Sequence, residues 1–543
     1  MRYALFLSCA LLLGPLQAHA AELRQPLPEV YAVVDVRVVT EPGRAIESAT
    51  VVVRNGVIEA VGAEIEPPAD ASIVRFERGD DQPPISVYPG LIDPYLVVGA
   101  DDTDESSGDG EPEPVPGRHP LVRPDHQLDP ADWPSDRVEA HRRAGFTSAL
   151  MVPGSGLLRG RSLLANLGDG GLSANLLDSD VAQHAHLHER HPDGAYPQSL
   201  MGSVALFRQT LLDAGWQARA RAAWSENPAQ ARPEWLPGID ALAPTLGGRQ
   251  PLVFESRDIL DSLRILDLVD EKIDLVLVGH GEEYKRLGDF DRKVPHILPL
   301  DFPAAPDVDD ESDRDVSLEQ LRHWQRAPGN PGTLIAAEVP VLFTAHGQSS
   351  PADLFKNIAR AVESGLDADR ALAALTTAPA EWLGIADRAG RIAPGYMANL
   401  VLVEGELFAE NPTISEVWID GHRFELAKLV PPEIDPSGSW ALTLSLSGMG
   451  DVDAELTLSG PPTSLDGSMS VLGNQLPVTE GRVSGKQVQL KFNLGGSGTI
   501  SVNMEVDGDR ARGNGTGPYG EFTVRGDRTG PSGDTSGAGE TRT

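Results

Sequence analysis

Three histidines alternate along one short segment, and their side chains are of the type that binds a transition metal. His184, His186 and His188 stand at positions i, i+2 and i+4 of the segment QHAHLH. On a strand, these side chains would share one face, and three imidazoles can hold Zn²⁺ or Ni²⁺. We therefore predict that the three histidines are metal ligands. Acidic residues and a proline flank the segment, which is also typical of a surface loop.

Three further side chains that could move protons follow short apolar runs. Glu255 ends the run PLVFE, His280 follows LVLVG, and His346 follows VLFTA. Side chains that follow the carboxyl ends of parallel strands meet on one face of a sheet or barrel. We therefore predict catalytic roles for Glu255, His280 and His346. The alternative for each is a structural side chain that is satisfied by its neighbours or by solvent.

The elements that would position these residues alternate between apolar runs and helical stretches. Residues 135–144, 200–214, 258–269 and 351–365 have helical texture, and residues 147–152, 251–254, 273–278 and 339–344 are short apolar runs. This alternation predicts a parallel sheet covered by helices. The length of the segment, residues 89–383, suits a (β/α)8 TIM-like barrel, which typically takes about 250 residues plus insertions.

Strand patterns also flank the predicted barrel. Asn55-Gly56 separates two apolar runs and predicts a hairpin with a tight turn. The runs ANLVLV (residues 398–403) and EVWI (residues 416–419) follow the barrel and would pair with this hairpin in a small β-sandwich built from both flanks. From Gly438 onward, short alternating strands separated by glycine-rich turns predict a separate C-terminal antiparallel β domain.

Several of these segments resemble the metal-dependent amidohydrolases, in particular the imidazolonepropionase-like and dihydroorotase-like members. The segment YPGLID at residues 88–93 is similar to the family's entry into the first barrel strand, and GFTS at residues 145–148 to its second strand. Near the barrel's end, TTAPA (376–380), LGI (383–385), GRIAPG (390–395) and ANLV (398–401) follow in the family's order. The resemblance covers residues 30–424 and implies an α/β barrel that hydrolyses non-peptide C–N bonds.

The resemblance also implies a metal centre, usually with Zn²⁺, that activates a water molecule. The family's ligands are a His-x-His pair after the first strand, one or two later histidines and an aspartate after the eighth strand, with a bridging lysine in binuclear members. Here Tyr95 and Val97 occupy the positions of the pair, because YPGLID fixes the register. Neither residue is a good Zn²⁺ ligand. The cofactor is therefore either a divalent metal held by other residues or none.

The other ligand positions differ as well. No lysine precedes Lys272, and Glu255 stands where the bridging lysine is expected. Ala345 or His346 takes the place of the aspartate. The resemblance further implies substrate contacts, for which we predict Tyr95 at the barrel mouth and Arg208 on the helix that begins near Leu200.

The first twenty residues predict export. Arg2 precedes a short apolar run, and Ala18-His19-Ala20 forms a small-x-small cleavage site. These features are typical of a cleaved secretory signal, so we predict a periplasmic or secreted protein. The only cysteine, Cys9, lies inside this segment. A mature chain would therefore have no disulfide and no cysteine ligand.

Charge and hydropathy limit the partners. The net charge of −35 argues against nucleic acid, which requires a basic face. No later stretch is long and apolar enough for a membrane span. We expect a small-molecule substrate or ligand, and a homo-oligomer or a hetero-oligomer with an active relative as the protein partners to consider.

Two functions are compatible with this sequence. The first is an exported hydrolase of amide or cyclic-amide C–N bonds whose site is rebuilt from the residues above. The second is a catalytically inactive amidohydrolase-fold protein that binds a ligand or an assembly partner. The predicted domains are a signal peptide (1–20), the first part of the sandwich (21–88), the barrel (89–385), the second part of the sandwich (386–430), an all-β accessory domain (437–528) and a disordered tail (529–543).

Overall fold

The computed structural model divides the chain into two compact units, Met1–Phe424 and Glu425–Thr543. It describes residues 29–76, 83–99, 118–130, 133–189, 194–290, 292–306, 316–409, 412–426, 434–446, 450–460, 465–471, 473–493, 499–517 and 520–530. The predicted signal peptide lies outside the described residues. So does the predicted tail, apart from Thr529 and Gly530, which end the last strand.

One mixed sheet of the first unit is built from both flanks of the central region. Its strands are β1 (Val30–Glu41), β2 (Arg44–Arg54), β3 (Val57–Gly62), β4 (Ser72–Val74), β5 (Ile85–Pro89), β16 (Leu400–Glu404), β17 (Thr413–Ile419) and β18 (His422–Glu425). Their order is β18-β17-β16-β5-β1-β2-β3, with β4 beside β1. The predicted contribution of both flanks is therefore present, but as one continuous sheet where a two-layer sandwich was predicted.

The predicted hairpin lies in this sheet. Asn55 and Gly56 both have positive φ, 50° and 80°, as a tight hairpin turn requires. A Cβ atom at Gly56 would stand 2.7 Å from the carbonyl oxygen of Asp420, in the turn between β17 and β18. The glycine therefore serves both the turn and the close approach of the two chain flanks.

Seven parallel strands form the centre of the first unit. They are β6 (Leu91–Val98), β7 (Phe146–Pro153), β11 (Gln183–His186), β12 (Leu252–Glu255), β13 (Leu275–Val278), β14 (His296–Pro299) and β15 (Val341–Thr344). β6 pairs with β7, and β11 to β15 pair in sequence, all in parallel. They share one apolar interior that includes Ile92, Val152, Val253, Val276 and Leu342.

The described strands do not form the closed eight-stranded parallel barrel that the sequence predicted. Three antiparallel strands, β8 (Leu158–Arg161), β9 (Leu163–Asn166) and β10 (Leu176–Asp178), stand between β7 and β11. β9 pairs with β7 and β8 with β11, so hydrogen bonding divides the strands into sheets of four and six. The short connections explain this arrangement. Only residues 154–157 join β7 to β8, and only Ser162 joins β8 to β9. A parallel crossover takes about a dozen residues or more.

The helices cover the parallel strands. They are α1 (Ser135–Arg143), α2 (Leu172–Asn175), α3 (Leu200–Glu226), α4 (Ala243–Leu246), α5 (Ile259–Leu268), α6 (Leu318–Arg326), α7 (Asn330–Ala336), α8 (Asp353–Glu363), α9 (Ala368–Leu375) and α10 (Thr377–Trp382). Side-chain caps begin several of them: Ser199 accepts from Gly202 N, and Asp258 from Leu260 N and Asp261 N. None of the described helices is long and apolar enough to cross a membrane.

The second unit is a closed antiparallel barrel. Its strands are β19 (Gly438–Leu446), β20 (Gly450–Ser459), β21 (Asp466–Val471), β22 (Asn474–Ser484), β23 (Gln487–Asn493), β24 (Thr499–Asp507), β25 (Arg510–Gly517) and β26 (Gly520–Gly530). Each pairs with the next, and β26 returns to β19. Alternate side chains form an apolar core around Trp440, Leu456, Phe492 and Met504. This confirms the predicted C-terminal antiparallel β domain.

Candidate functional site

The first and last parallel strands are joined by one buried carboxylate. Asp93 on β6 accepts a hydrogen bond from Thr344 Oγ1 (2.6 Å) and one from the backbone N–H of Ala345 (3.2 Å), both at the end of β15. The His141 Nε2 atom lies 3.2 Å from Asp93 Oδ2, the oxygen that also accepts from Ala345. Burial opposes the charge of Asp93, but His141 and the hydrogen bonds outweigh it and lower the pKa of Asp93. The carboxylate therefore holds β6 and β15 in register.

Two residues further along β6, Tyr95 belongs to a buried group of three polar side chains. Arg159 Nη1, on β8, donates to the Tyr95 hydroxyl at 2.8 Å, and that hydroxyl donates to Glu255 Oε2, on β12, at 2.8 Å. Arg159 Nη1 also lies 2.9 Å from the same carboxylate oxygen. Tyr95 is 1% exposed and Arg159 is 5% exposed. We call these residues the Tyr95–Arg159–Glu255 centre.

The charges within this centre are set by burial and by one another. Burial opposes the ionised carboxylate, but the Arg159 guanidinium and the nearby histidines outweigh it and lower the pKa of Glu255 to about 2. Burial raises the pKa of Tyr95, so the phenol keeps its proton and acts as a donor. Glu255 is consequently a carboxylate at neutral pH, with one oxygen held by Arg159 and Tyr95.

Two of the predicted metal ligands lie beside this centre. His184 and His186 are buried on β11, and the ring of His184 is 5.9 Å from that of Tyr95. His186 is the register partner of Glu255, and its Nε2 is 3.9 Å from Glu255 Oε1. Neither imidazole has a hydrogen-bond partner among the described residues. Burial, together with Arg159, lowers the pKa of His184 to about 3, so this ring is neutral at neutral pH.

The other predicted site residues divide between this cluster and separate places. His346 follows β15 and its ring packs edge-on against Tyr95, 5.1 Å between centroids. Burial lowers the pKa of His346, partly offset by Glu255 and Asp93. His188 lies beyond the end of β11 and contacts Asp261 instead. His280 lies 3.2 Å from Ser262 Oγ and 3.7 Å from the buried Glu283.

Arg208 is exposed on α3, and no contact described in the structure joins it to Tyr95 or Glu255. The structure thus brings together Tyr95, His184, His186, Glu255 and His346, while His188, His280 and Arg208 make their contacts elsewhere. None of these placements tests a catalytic role, which stays a prediction for each residue.

Three residues that contact these side chains or hold their strands were not predicted as site residues from the sequence. Arg159 stands in the apolar run GLLRGRSLL. A charged residue inside an apolar run is rarely buried without a partner, and this was the signal that could have identified it. Asp93 belongs to the YPGLID segment, but its role as the tie between β6 and β15 depends on a contact across 251 residues. His141 lies at the end of α1 and could not be connected to Asp93 from sequence spacing.

The histidine and carboxylate donors do not form a metal site as they stand. Among the residues that the structure describes, no set of three or more histidine, cysteine, aspartate or glutamate side chains is arranged to hold a metal ion. His184 and His186 face the same interior as Glu255. One oxygen of that carboxylate, Oε2, is already bonded to Arg159 and Tyr95. The predicted ligand set His184, His186 and His188 is also divided, because His188 contacts Asp261.

Comparison with known proteins finds a family similarity in the last part of the first unit. A sequence model of the amidohydrolase family matches residues 333–424, from within α7 to within β18. Over these residues the chain is similar to the amidohydrolase family. The match supports a hydrolase function and includes Thr344 and His346 of the site. No curated protein matches the sequence.

Two solved structures are similar to this chain, and the first of them supports a shared fold. An amidohydrolase from Thermotoga maritima MSB8 superposes with a TM-score of 0.58 at 21% identity, covering 73% of this chain and 100% of that one. A Xaa-Pro dipeptidase with bound methionine in its active site gives a TM-score of 0.42 at 14% identity, covering 73% of this chain and 100% of that one. At 21% identity, the similarity to the Thermotoga maritima protein concerns the fold alone.

Proposed function

We propose that this protein is an exported hydrolase of a non-peptide C–N bond in a small amide-type molecule, with a site built around the Arg159 guanidinium in place of a metal ion. The observation that carries the proposal is the contact of Arg159 with both Tyr95 and Glu255, at the position where the family places its first ligand pair. The superfamily match supplies the reaction class.

The guanidinium disfavours a second cation at this position. The positive charge of Arg159 repels a divalent ion placed nearby, and the Glu255 carboxylate offsets this repulsion in part. The same fixed charge favours an oxyanion. Arg159 Nε is buried without a hydrogen-bond partner among the described residues, so it offers a donor to a substrate carbonyl oxygen that gains negative charge.

His186 Nε2 and Glu255 Oε1 lie 3.9 Å apart, too far for a direct hydrogen bond. The proposed reaction needs a water molecule to enter between these two atoms together with the substrate. In the proposed reaction, this water attacks the carbonyl carbon while the Glu255–His186 pair takes its proton. The proton then passes to the leaving nitrogen as the C–N bond breaks, which releases an acid and an amine.

The two unpartnered imidazoles support an amide as the proposed substrate. A neutral imidazole has one donor and one acceptor nitrogen. His184 is neutral at neutral pH and lies next to Tyr95, so it can accept from an amide N–H or donate to an amide oxygen. An amide, imide or ureide offers both complementary groups, whereas a simple ether or ester offers acceptors alone.

A second function, ligand binding without turnover, is favoured by the low pKa of Glu255. A carboxylate with a pKa of about 2 is a weak base, because the proton that it takes is lost readily. In that case the same cluster would recognise an amide-type ligand and release it unchanged.

Kinetics of single variants separate the two functions. The purified full chain would be tested on hydantoin, succinimide and N-acetylglycine. Turnover that falls by about 10²–10³-fold in Arg159→Met and by about 10²–10⁴-fold in Glu255→Gln supports hydrolysis at this site. Arg219→Gln, which changes an exposed arginine on α3, is the matched control and should leave turnover unchanged. Turnover that survives Arg159→Met refutes the proposed site, and calorimetric binding without turnover supports the second function.

Export rests on residues outside the described part of the chain and is tested separately. Fractionation of producing cells followed by N-terminal sequencing should find the protein outside the cytoplasm and beginning at Ala21. Intact Met1 on a cytoplasmic protein would refute export.

A further inference from the structure

A cavity lies at the end of the parallel strands where β15 begins. It has a volume of about 510 Å³, within the ~300–1,000 Å³ range typical of small-molecule sites. Val341 and Leu342, which begin β15, form one wall, and helices α9 and α10 form another. Because Thr344, at the opposite end of β15, contacts Asp93, this cavity is separate from the Tyr95–Arg159–Glu255 centre.

The cavity is mainly apolar and contains an unused hydrogen-bond donor. Pro295, Ile335, Val339 and Ala374 contribute hydrocarbon surface. Trp382 also lines it, and its indole Nε1 is buried without a partner among the described residues. A buried donor without a partner is unfavourable, and an acceptor from a bound molecule would relieve that cost.

The charged groups at the cavity leave one cation available. Of the two carboxylates that line it, Glu338 pairs with Lys293 at 3.2 Å and Glu381 with Arg391 at 3.4 Å. Arg370 also lines the cavity and has no ion-pair partner within the described part of the chain. An anionic group would therefore find its complement at Arg370.

We propose that this cavity binds a small apolar carboxylate. Its hydrocarbon body packs between the start of β15 and helices α9 and α10, and its carboxylate accepts from the Arg370 guanidinium and from the Trp382 indole N–H. Arg370 can donate a charge-assisted hydrogen bond to the carboxylate, and the Trp382 indole N–H can donate a neutral one. The site does not depend on the proposed hydrolase reaction, because none of its residues belongs to that cluster.

Nuclear magnetic resonance of the full chain labelled with ¹⁵N-tryptophan tests this site directly. The Trp382 indole resonance is assigned by its loss in Trp382→Phe. Titration with phenylacetate or 4-methylpentanoate should shift this resonance, whereas the neutral phenylacetamide should bind at least about tenfold more weakly. Arg370→Gln should weaken carboxylate binding by about tenfold or more, measured by calorimetry.

Matched controls exclude a general effect of either substitution. Arg322→Gln removes an exposed arginine of α6, and Trp216→Phe changes a partly exposed tryptophan of α3. Both variants should bind the carboxylates as the unmodified chain does. Carboxylates that leave the Trp382 resonance in place at millimolar concentration, or that bind Arg370→Gln with unchanged affinity, would overturn the proposal.

Discussion

Glu255 keeps its charge inside the sheet because Arg159 and Tyr95 both bond to one of its oxygens. Removing one partner of such a buried pair leaves the other charge uncompensated, at a cost of about 3–5 kcal/mol. We therefore expect Glu255→Gln and Arg159→Met each to lower the free energy of unfolding by a few kcal/mol. The double variant should lose clearly less than the sum, because neither charge is then left alone. Urea unfolding of the four proteins measures this coupling.

An exposed ion pair of the same type provides the control for that cycle. Arg143 and Glu139 pair at 2.7 Å on the surface of α1, with at least half of each side chain exposed. Removing either should change stability by less than about 1 kcal/mol. Additive losses in the Glu255→Gln and Arg159→Met cycle would contradict the contacts that define the centre.

The buried imidazole of His184 predicts a dependence of stability on pH. Its pKa falls from 6.5 to about 3 on folding, so the unfolded chain binds a proton that the folded chain rejects. Stability is therefore complete above pH 6.5 and falls by up to about 1.4 kcal/mol per pH unit as the pH drops toward 3. His296 and His346, whose pKa values are also lowered by burial, add to this slope.

Replacing His184 isolates its contribution. His184→Phe keeps an aromatic ring beside Tyr95 and should flatten the pH dependence of the unfolding free energy between pH 6.5 and 4.5 by about one proton. His422→Gln, which changes an exposed histidine, should leave the slope as it is. An unchanged slope in His184→Phe would show that this ring titrates normally in the folded chain.

At this scale, the sequence predicted part of the cluster of side chains that the structure brings together, while their functional roles stay predictions. The alternation of His184 and His186 predicted a shared strand face; the ring of His184 lies beside Tyr95, and that of His186 lies beside Glu255. Glu255 and His346 were found because each follows an apolar run that forms a parallel strand. Arg159 was missed, because nothing in the spacing of an isolated cation shows which buried carboxylate it will meet.

At the scale of elements, the passage from β5 to β6 depends on a glycine. A Cβ atom at Gly90 would lie 2.2 Å from Thr147 Oγ1 on the neighbouring strand β7. Thr147 is itself buried, so neither residue can move aside without repacking. We expect Gly90→Ala to destabilise the first unit by about 1–3 kcal/mol, measured by thermal or urea unfolding.

Gly288→Ala is a suitable comparison for that substitution. Gly288 is exposed, and nothing lies within 4 Å of the Cβ that would be added. This variant should be within about 0.5 kcal/mol of the unmodified chain. If Gly90→Ala were equally neutral, the close contact between the start of β6 and β7 would be wrong.

A local sequence pattern predicted some of the strands but not their order in the sheets. Short apolar runs predicted the parallel strands β7, β12, β13 and β15, because buried strands of a parallel sheet lack polar alternation. The antiparallel excursion of β8 to β10 was missed. Its cause is the length of the connections, which are too short for a crossover, and not the composition of the strands.

At the scale of the whole molecule, the second unit should fold by itself. Its eight strands close into a barrel with an apolar core of its own, so no edge strand needs a partner from outside. Residues 425–543 contain one tryptophan, Trp440, which is 1% exposed and lies beneath the Arg528 guanidinium. We expect the isolated segment to unfold cooperatively, with a red shift of Trp440 fluorescence. A segment whose tryptophan is solvent-exposed without denaturant would contradict this independence.

The proposed replacement of the metal by Arg159 is tested most directly by measuring the metal content and the turnover of one sample together. The full chain is treated with a chelator, analysed for zinc and manganese by mass spectrometry, and assayed on the amide and imide substrates. The proposed site predicts hydrolysis with less than about 0.1 metal ion per chain, lost in Arg159→Met and unaffected by added Zn²⁺. Turnover that disappears on chelation and returns with stoichiometric Zn²⁺, bound through His184 and His186, would contradict it.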